Sequence, residues 1–244
     1  DMECDKIASW GVLDNLIQSR VKYDHDVVGA VAEGRLTFAL QSWWQRGLRE
    51  EPFTVKVSLE DFKFHLRWKS KEEDGEWFDK ENVSILLYAC TFGNINVVTE
   101  VLQLLPTADK RKRTDWLEHR VRRQGFVNFG IPGGITALFA AMATGTPEIV
   151  RLLLQIGANP KVEDRIGADP FMYACYYGRN SNIKFWLKRF KKWDLHRRNW
   201  ATGANALTLA LNQGPHKFDT AKMLIKAGVN ITNCASSGIT NLIS

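Results

Sequence analysis

The stretch GITALFAAMATGTPEIVRLLLQIGAN, which begins at Gly134, returns in altered form from Gly167, from Gly203 and, for a few residues, from Gly238. The copies start 33, 36 and 35 residues apart. Self-similarity at this period restricts the chain to a solenoid, in which each unit buries its apolar face only against its neighbours. Such a body is elongated and offers a long surface, usually without an enclosed catalytic cleft. The 244 residues are therefore read as one extended array and not as two globules.

The Gly134 copy carries Gly134, Thr136, Leu138, Ala141, Gly145, Ile149, Val150, Leu152, Leu153, Gly157, Ala158 and Asn159. In this order and spacing they resemble the ankyrin repeat: a turn into a first helix, paired small residues, a Gly between helices, an Ile/Val-Val-x-Leu-Leu second helix and a closing Gly-Ala-Asn. An upstream copy keeps Leu86, Ala89, Cys90, Gly93, Val97, Val98 and Leu102, and a weaker one keeps Ala30, Gly34, Phe38 and Gly47. The resemblance extends over roughly two thirds of the chain. It implies an all-α, ankyrin-type solenoid of helix pairs with short β-hairpin fingers.

The copies also depart from that pattern. The family's His position holds Leu87, Phe139, Met172 and Thr208, and its Pro survives only as Pro170. The array is thus a diverged one whose turn region is apolar. The resulting division is an N-terminal segment at 1–24, a degenerate repeat at 25–48, an insertion at 49–82, a repeat at 83–105, a second insertion at 106–131 and repeats over 132–244. The chain opens on Asp1 and the last copy breaks off after Leu242, so both ends read as cuts through a longer protein.

Cys90 and Cys175 occupy the same repeat slot, six residues after Ser84 and Asp169, where a small buried thiol substitutes for Ala. A whole repeat separates them, which puts them beyond disulfide reach. Free buried thiols predict a reducing, intracellular and most simply cytoplasmic setting. The five histidines are scattered, with no Cys or His at metal-ligand spacing. No phosphate loop, nucleophile elbow or Cys–His pair stands at usable spacing, so neither catalysis nor a cofactor is expected.

In the first insertion, PFTVKVSLEDFKFHLRW alternates strictly, with its parity reversed once across Glu60-Asp61. That pattern predicts a two-stranded hairpin over 53–68 with Leu59 opposite Phe62, its eight apolar side chains on one face. A helix capped by Ser58 scatters Phe64 and Trp68 and fits less well. A hairpin this apolar must cover the array or receive a partner. An acidic loop, Lys71 to Glu76, follows it.

The second insertion carries Lys110, Arg111, Lys112 and Arg113, then a short helix capped by Thr114 with Trp116, Leu117 and Val121 on one side, and Arg120, Arg122 and Arg123 beyond. A second basic stretch, IKFWLKRFKKWDL, falls on the second helix of the Gly167 copy. There Phe185 and Trp186 align with Leu152 and Leu153, which assigns them to the core and the lysines to the outer face. The formal charge is +6. An anionic ligand, nucleic acid or a membrane surface, held by clusters 110–123 and 184–198 is accordingly the alternative to a protein partner.

The ankyrin resemblance implies protein recognition through the fingers and the inner face of each first helix. By slot, the inner-helix positions are Thr91 and Phe92, Ala143 and Thr144, Tyr176 and Tyr177, and Asn212 and Gln213. The finger positions are Arg165, Ile166, Arg198 and Trp200. Phe92, Thr144, Arg165, Tyr176, Tyr177, Arg198 and Trp200 form the expected partner-binding set, since aromatic and Arg side chains dominate interface hot spots.

Overall fold

A computed structural model describes residues 54–57, 81–103, 105, 108–120, 134–211 and 218–231. Two strands, β1 (Thr54–Val57) and β2 (Glu81–Ser84), precede the helices α1 (Ile85–Phe92), α2 (Ile95–Gln103), α3 (Lys110–Leu117), α4 (Ala137–Thr144), α5 (Pro147–Gln155), α6 (Pro170–Tyr176), α7 (Asn180–Arg189), α8 (Ala206–Leu211) and α9 (Phe218–Lys226). Helices dominate, as an ankyrin-type array requires.

Each first helix begins at a residue suited to the N-cap, whose oxygen satisfies an otherwise unpaired helix N–H. Ser84 accepts from the Leu87 amide at 3.1 Å, Asp169 from Met172 at 2.8 Å and Asn205 from Thr208 at 2.9 Å. Thr136 holds the same place with no side-chain bond. Pro170 sits at the first helical position, where its missing N–H costs nothing.

The pairs stack in two layers. First helices α1, α4, α6 and α8 pack in succession, while α2, α5 and α7 form a second row behind them, and α9 packs on α8. The second helices bury an i, i+1, i+4 stripe: Val97, Val98 and Val101 on α2, and Ile149, Val150 and Leu153 on α5. On α7 the stripe reads Asn182, Ile183 and Trp186, and on α9 Thr220, Ala221 and Leu224. Trp186 is buried and Phe185 half-buried, while Lys184, Lys188, Arg189, Lys191 and Lys192 are exposed. The basic helix therefore faces outward from an apolar anchor. Cys90 and Cys175 are both free and buried.

Leu87, Phe139, Met172 and Thr208 in the family's His slot are all buried and make the turn region apolar. Polar links between repeats come from other positions. The Asn182 amide nitrogen lies 3.1 Å from the carbonyls of Ala141 and Met142 and 3.2 Å from that of Gly145. Arg179 Nε donates to the Ala143 carbonyl at 2.6 Å. The Thr144 hydroxyl donates to the Cys90 carbonyl at 3.2 Å and to Ala140 at 2.9 Å. Carbonyls at the C-terminal end of helix α4 thus receive donors from the repeat that follows.

Two expectations change. The helix of the second insertion starts at Lys110, capped by Asp109, whose carboxylate accepts from the Arg111 amide at 2.8 Å and Lys112 at 3.2 Å. Thr114 lies inside it, its hydroxyl donating to the Lys110 carbonyl at 2.9 Å. Trp116 and Leu117 are buried as expected. In the first insertion β1 forms where the alternation placed a strand, but its described partner is β2, antiparallel, with Thr54 opposite Ser84 and Val57 opposite Glu81. Residues 58–68, and with them the Leu59–Phe62 pairing, lie outside the described residues, as do the copies at 25–48 and from Gly238.

Leu153 has no accessible surface, and an Asp there would be a buried charge without a counterion. Leu153→Asp is expected to abolish cooperative unfolding of the array by circular dichroism. Asn182→Ala removes the amide donor at the Met142 and Gly145 carbonyls, while Ala141 keeps its bond from the Gly145 amide, and should cost about 1–3 kcal/mol in urea unfolding. An unchanged midpoint would mean that the amide does not hold the two repeats together.

Candidate binding surface

Two finger turns and helix α6 carry most of the expected binding residues. In the first finger, Asp164 is buried and organises its own loop: Oδ1 accepts from the amides of Ile166 and Ala168, each at 2.9 Å, and Oδ2 accepts from the Tyr173 hydroxyl at 2.9 Å. The Asp164 amide donates to Ala168 at 2.9 Å and closes the turn. Thirty-five residues on, Asn199 repeats the construction, accepting from the Thr202 amide at 2.7 Å and hydroxyl at 2.8 Å while its own amide donates to Ala204 at 3.0 Å. The two fingers are joined through the backbone, where the Trp200 amide donates to the Ile166 carbonyl at 3.1 Å.

A register follows that slot comparison alone did not show. Gly134 and Gly167 stand at equivalent positions ahead of α4 and α6, with φ of 92° and 77°, a conformation that favours Gly. Each lies under a side chain of the next finger. A Cβ on Gly167 would stand 2.3 Å from Cδ1 of the Trp200 indole, and one on Gly134 would stand 3.3 Å from Cγ of Arg165. Arg165 and Trp200 are therefore equivalent residues, each laid over the glycine of the preceding finger. The 31- and 33-residue separations were the available signal.

Trp200 is 72 % exposed. Beside it, Ile166, Ala168, Met172, Tyr173, Tyr176, Tyr177, Asn199 and Leu209 line an open pocket of about 100 Å³ with almost wholly apolar walls. Its tyrosines belong to a chain of ring contacts from the core: Phe139 to Tyr173 edge-on at 4.8 Å between ring centroids, Tyr173 to Tyr177 tilted at 6.4 Å and Tyr177 to Tyr176 edge-on at 5.0 Å. Tyr176 and Tyr177 are half-buried. Burial raises the Tyr177 phenol and keeps it neutral.

The other expected residues are distributed differently. Arg165 and Arg198 are exposed. Thr144 is half-buried with its hydroxyl committed to Cys90 and Ala140. Thr91 and Ala143 are buried. The side chain of Phe92 lies outside the described residues, as do Asn212 and Gln213. Among the alternative anionic set, Lys110 and Arg111 are exposed and Lys112 and Arg113 half-buried at the start of α3. Arg120 instead donates to the Gly134 and Glu163 carbonyls. Together with Glu118, which accepts from the Asn159 amide at 2.8 Å, it ties the insertion to the following repeat. Arg122 and Arg123 lie outside the described residues.

Of the acids around the first finger, Asp164 and Asp169 are buried and Glu163 is exposed. Glu163 pairs with Arg197, and Asp169 lies 3.9 Å from Nε of the same guanidinium, too far for a hydrogen bond. Burial pushes Asp169 up to about 6, only partly opposed by the Met172 amide and Arg197, and it raises Asp164 as well. Among the described residues no group of three or more His, Cys, Asp or Glu is placed to hold a metal ion, and no helix is long and apolar enough to cross a membrane.

Residues 118–199 match the family model described as ankyrin repeats (3 copies). The chain is similar to ankyrin repeat domain-containing protein 63 of Mus musculus and of Homo sapiens, 29% identical to each over 118 residues. That segment covers 48% of this chain and 30% and 31% of those proteins. It is also similar to the tRNA endonuclease ANKZF1 of Homo sapiens, 30% identical over 104 residues, which is 43% of this chain and 13% of that protein. The chain thus matches less than a third of the length of these relatives.

Because Asp169 ionises less readily folded than unfolded, the folded state binds more protons between the ordinary carboxylate value and about 6. Stability should therefore fall as pH rises across that window, and Asp164 acts in the same direction. Asp169→Asn keeps a capping oxygen and removes the buried charge. It should flatten this pH dependence and gain about 1–3 kcal/mol at pH 7, measured by urea unfolding from pH 4 to 7.

Proposed function

We propose that this chain, which belongs to the ankyrin repeat family through its repeat array, is the protein-interaction module of a larger intracellular protein and binds through its first helices and finger turns. What supports the reading most is Trp200, a large aromatic held 72 % exposed by a backbone bond to Ile166 and by contact with Gly167. A side chain of this size is seldom left in water on a rigid support unless a partner covers it, and Trp is among the residue types that dominate binding energy. The adjoining apolar pocket and the half-buried tyrosines extend the patch.

The surface comprises Trp200, Tyr176, Tyr177, Arg165 and Arg198, with Phe92 and Thr144 further along the first helices. It acts by shape and contact, without catalysis or a cofactor. The two free, buried thiols suit a reducing compartment. The alternative, an anionic ligand on the basic insertion, is weakened by Arg120, whose guanidinium is occupied by backbone carbonyls.

Capture of the natural partner by wild-type chain and variants tests the reading. Trp200→Ala should weaken binding by about 2 kcal/mol, roughly thirtyfold, with the unfolding midpoint unchanged. Tyr177→Ala should weaken it too, with some loss of stability because the ring also packs on the core. Reversing Lys110, Arg111, Lys112 and Arg113 to Glu should matter less. Normal binding by Trp200→Ala together with failure of the charge-reversed variant would move the site to the insertion.

A further inference from the structure

We propose that the outer face of the second-helix row, centred on α7, rests against an anionic lipid surface. This face is distinct from the first helices and fingers, so the two surfaces stand or fall separately.

The charge of the chain is concentrated there. Between Asn180 and Arg198 seven Lys and Arg stand against Asp194 alone, a surplus of six, which equals the formal charge of the whole chain. Everything outside this stretch is therefore balanced overall. Arg197 is committed to Glu163, and the Arg189 guanidinium lies 5.6 Å from the centre of the Phe190 ring. Lys184, Lys188, Lys191 and Lys192 are exposed, and among the described residues no carboxylate pairs with them.

The repeat register extends the patch across neighbouring helices. Each second helix buries an i, i+1, i+4 stripe, and the residue after its second member is Arg151 on α5, Lys184 on α7 and Lys222 on α9. Two residues past the last member stand Gln155, Lys188 and Lys226. All six are exposed. Helix α7 packs on α5, and the Thr220 hydroxyl of α9 bonds to Asn180 Oδ1 at 2.7 Å. Packed helices lie about 8–10 Å apart and a helical turn rises about 5.4 Å, so neighbouring cations stand roughly one Debye length from each other. Anions from outside the chain relieve the resulting repulsion. At the ends of the grid Asp219 lies 4.0 Å from Lys222, and Glu148 neighbours Arg151. The α7 lysines, at its centre, are the least compensated.

A lipid leaflet suits this grid better than a nucleic acid does. Headgroups diffuse and gather under cations at any spacing, whereas the phosphates of a strand are fixed in line. Binders of single strands add aromatic platforms for the bases, but the rings of this region pack on one another. Trp186, Phe190 and Trp193 form a cluster with centroids 4.7, 5.0 and 5.5 Å apart. On α9, Phe218 and Ile225 share the exposed face with Lys222 and Lys226, at 46 % and 51 % exposure. Apolar side chains set among lysines enter the boundary between headgroups and acyl chains, and gain nothing from a phosphate backbone.

Co-sedimentation of the full chain with lipid vesicles tests the face. Vesicles of phosphatidylcholine with about 30 % phosphatidylserine should bind the chain at physiological salt, and pure phosphatidylcholine vesicles should not. Changing Lys184, Lys188, Lys191 and Lys192 together to Glu should weaken binding by roughly tenfold or more, with the urea midpoint unchanged because all four are exposed. The same change at Lys110, Arg111, Lys112 and Arg113 should weaken it by less than about threefold, which separates this face from net charge alone. If the α7 Glu variant fails to fold, the corresponding Gln variant removes the same cations and decides the matter. No binding to the anionic vesicles, or equal loss from the two charge reversals, would overturn the proposal. Tighter binding to a nucleic-acid duplex of about 20 base pairs than to the vesicles, at equal phosphate concentration, would also overturn it.

Discussion

Everything in the array hangs on the approach of consecutive first helices through one small residue. Ala89, Ala141, Ala174 and Ala210 stand five positions after their respective N-caps, and each is completely buried. A methyl group at that slot sets how near the next helix comes. Interiors packed to crystal density transmit a change of even one methylene, so the spacing of both layers is fixed there. The second helices, with longer side chains at their buried positions, fill the space this spacing leaves, and the fingers inherit the same rise. Cys90 and Cys175 tolerate the adjoining slot because a thiol is little larger than a methyl group, and burial keeps both protonated by raising them well above their ordinary range.

Most of this architecture was legible in the sequence because it follows from periodicity. The helix pairs, the two equivalent cysteines and the inward turn of Trp186 all follow from one aligned repeat. The start of α3 was not, for a physical reason. A helix normally opens with acidic residues that complement its positive end, and this one opens with Lys110, Arg111, Lys112 and Arg113, held by the single carboxylate of Asp109. Thr114 looked like a cap only because the usual charge signal is inverted. The partner of β1 was hidden differently: alternation tells which residues share a face and says nothing about which distant strand completes the ladder.

The candidate surface was partly legible. Slot comparison put Tyr176, Tyr177 and Trp200 in the expected set, yet it could not separate side chains turned outward from those turned in, and Thr91 and Ala143 are buried. Asn182 escaped notice although its signal was present: it occupies the place of Val97 and Ile149, where a polar residue must find partners. Its amide on the second helix, with Arg179 in the turn and Thr144 at the end of the first helix, bonds to backbone carbonyls of the neighbouring repeat. These links lie outside the His slot of the ankyrin pattern, so a search on that motif does not see them.

The pairing of β1 with β2 has a consequence for how such a chain can vary. Val57 and Glu81 stand opposite each other at the end of the ladder, where facing Cα atoms are about 4.5–5.5 Å apart. Whatever chain joins these two residues therefore starts and ends at one place. Doubling the length of such a loop adds only about 0.6 kcal/mol of closure entropy. A segment of any size whose termini lie side by side can be carried there, so the position is a natural socket for exchange by recombination, and for the deliberate grafting of a foreign domain, with the helical stack left in register.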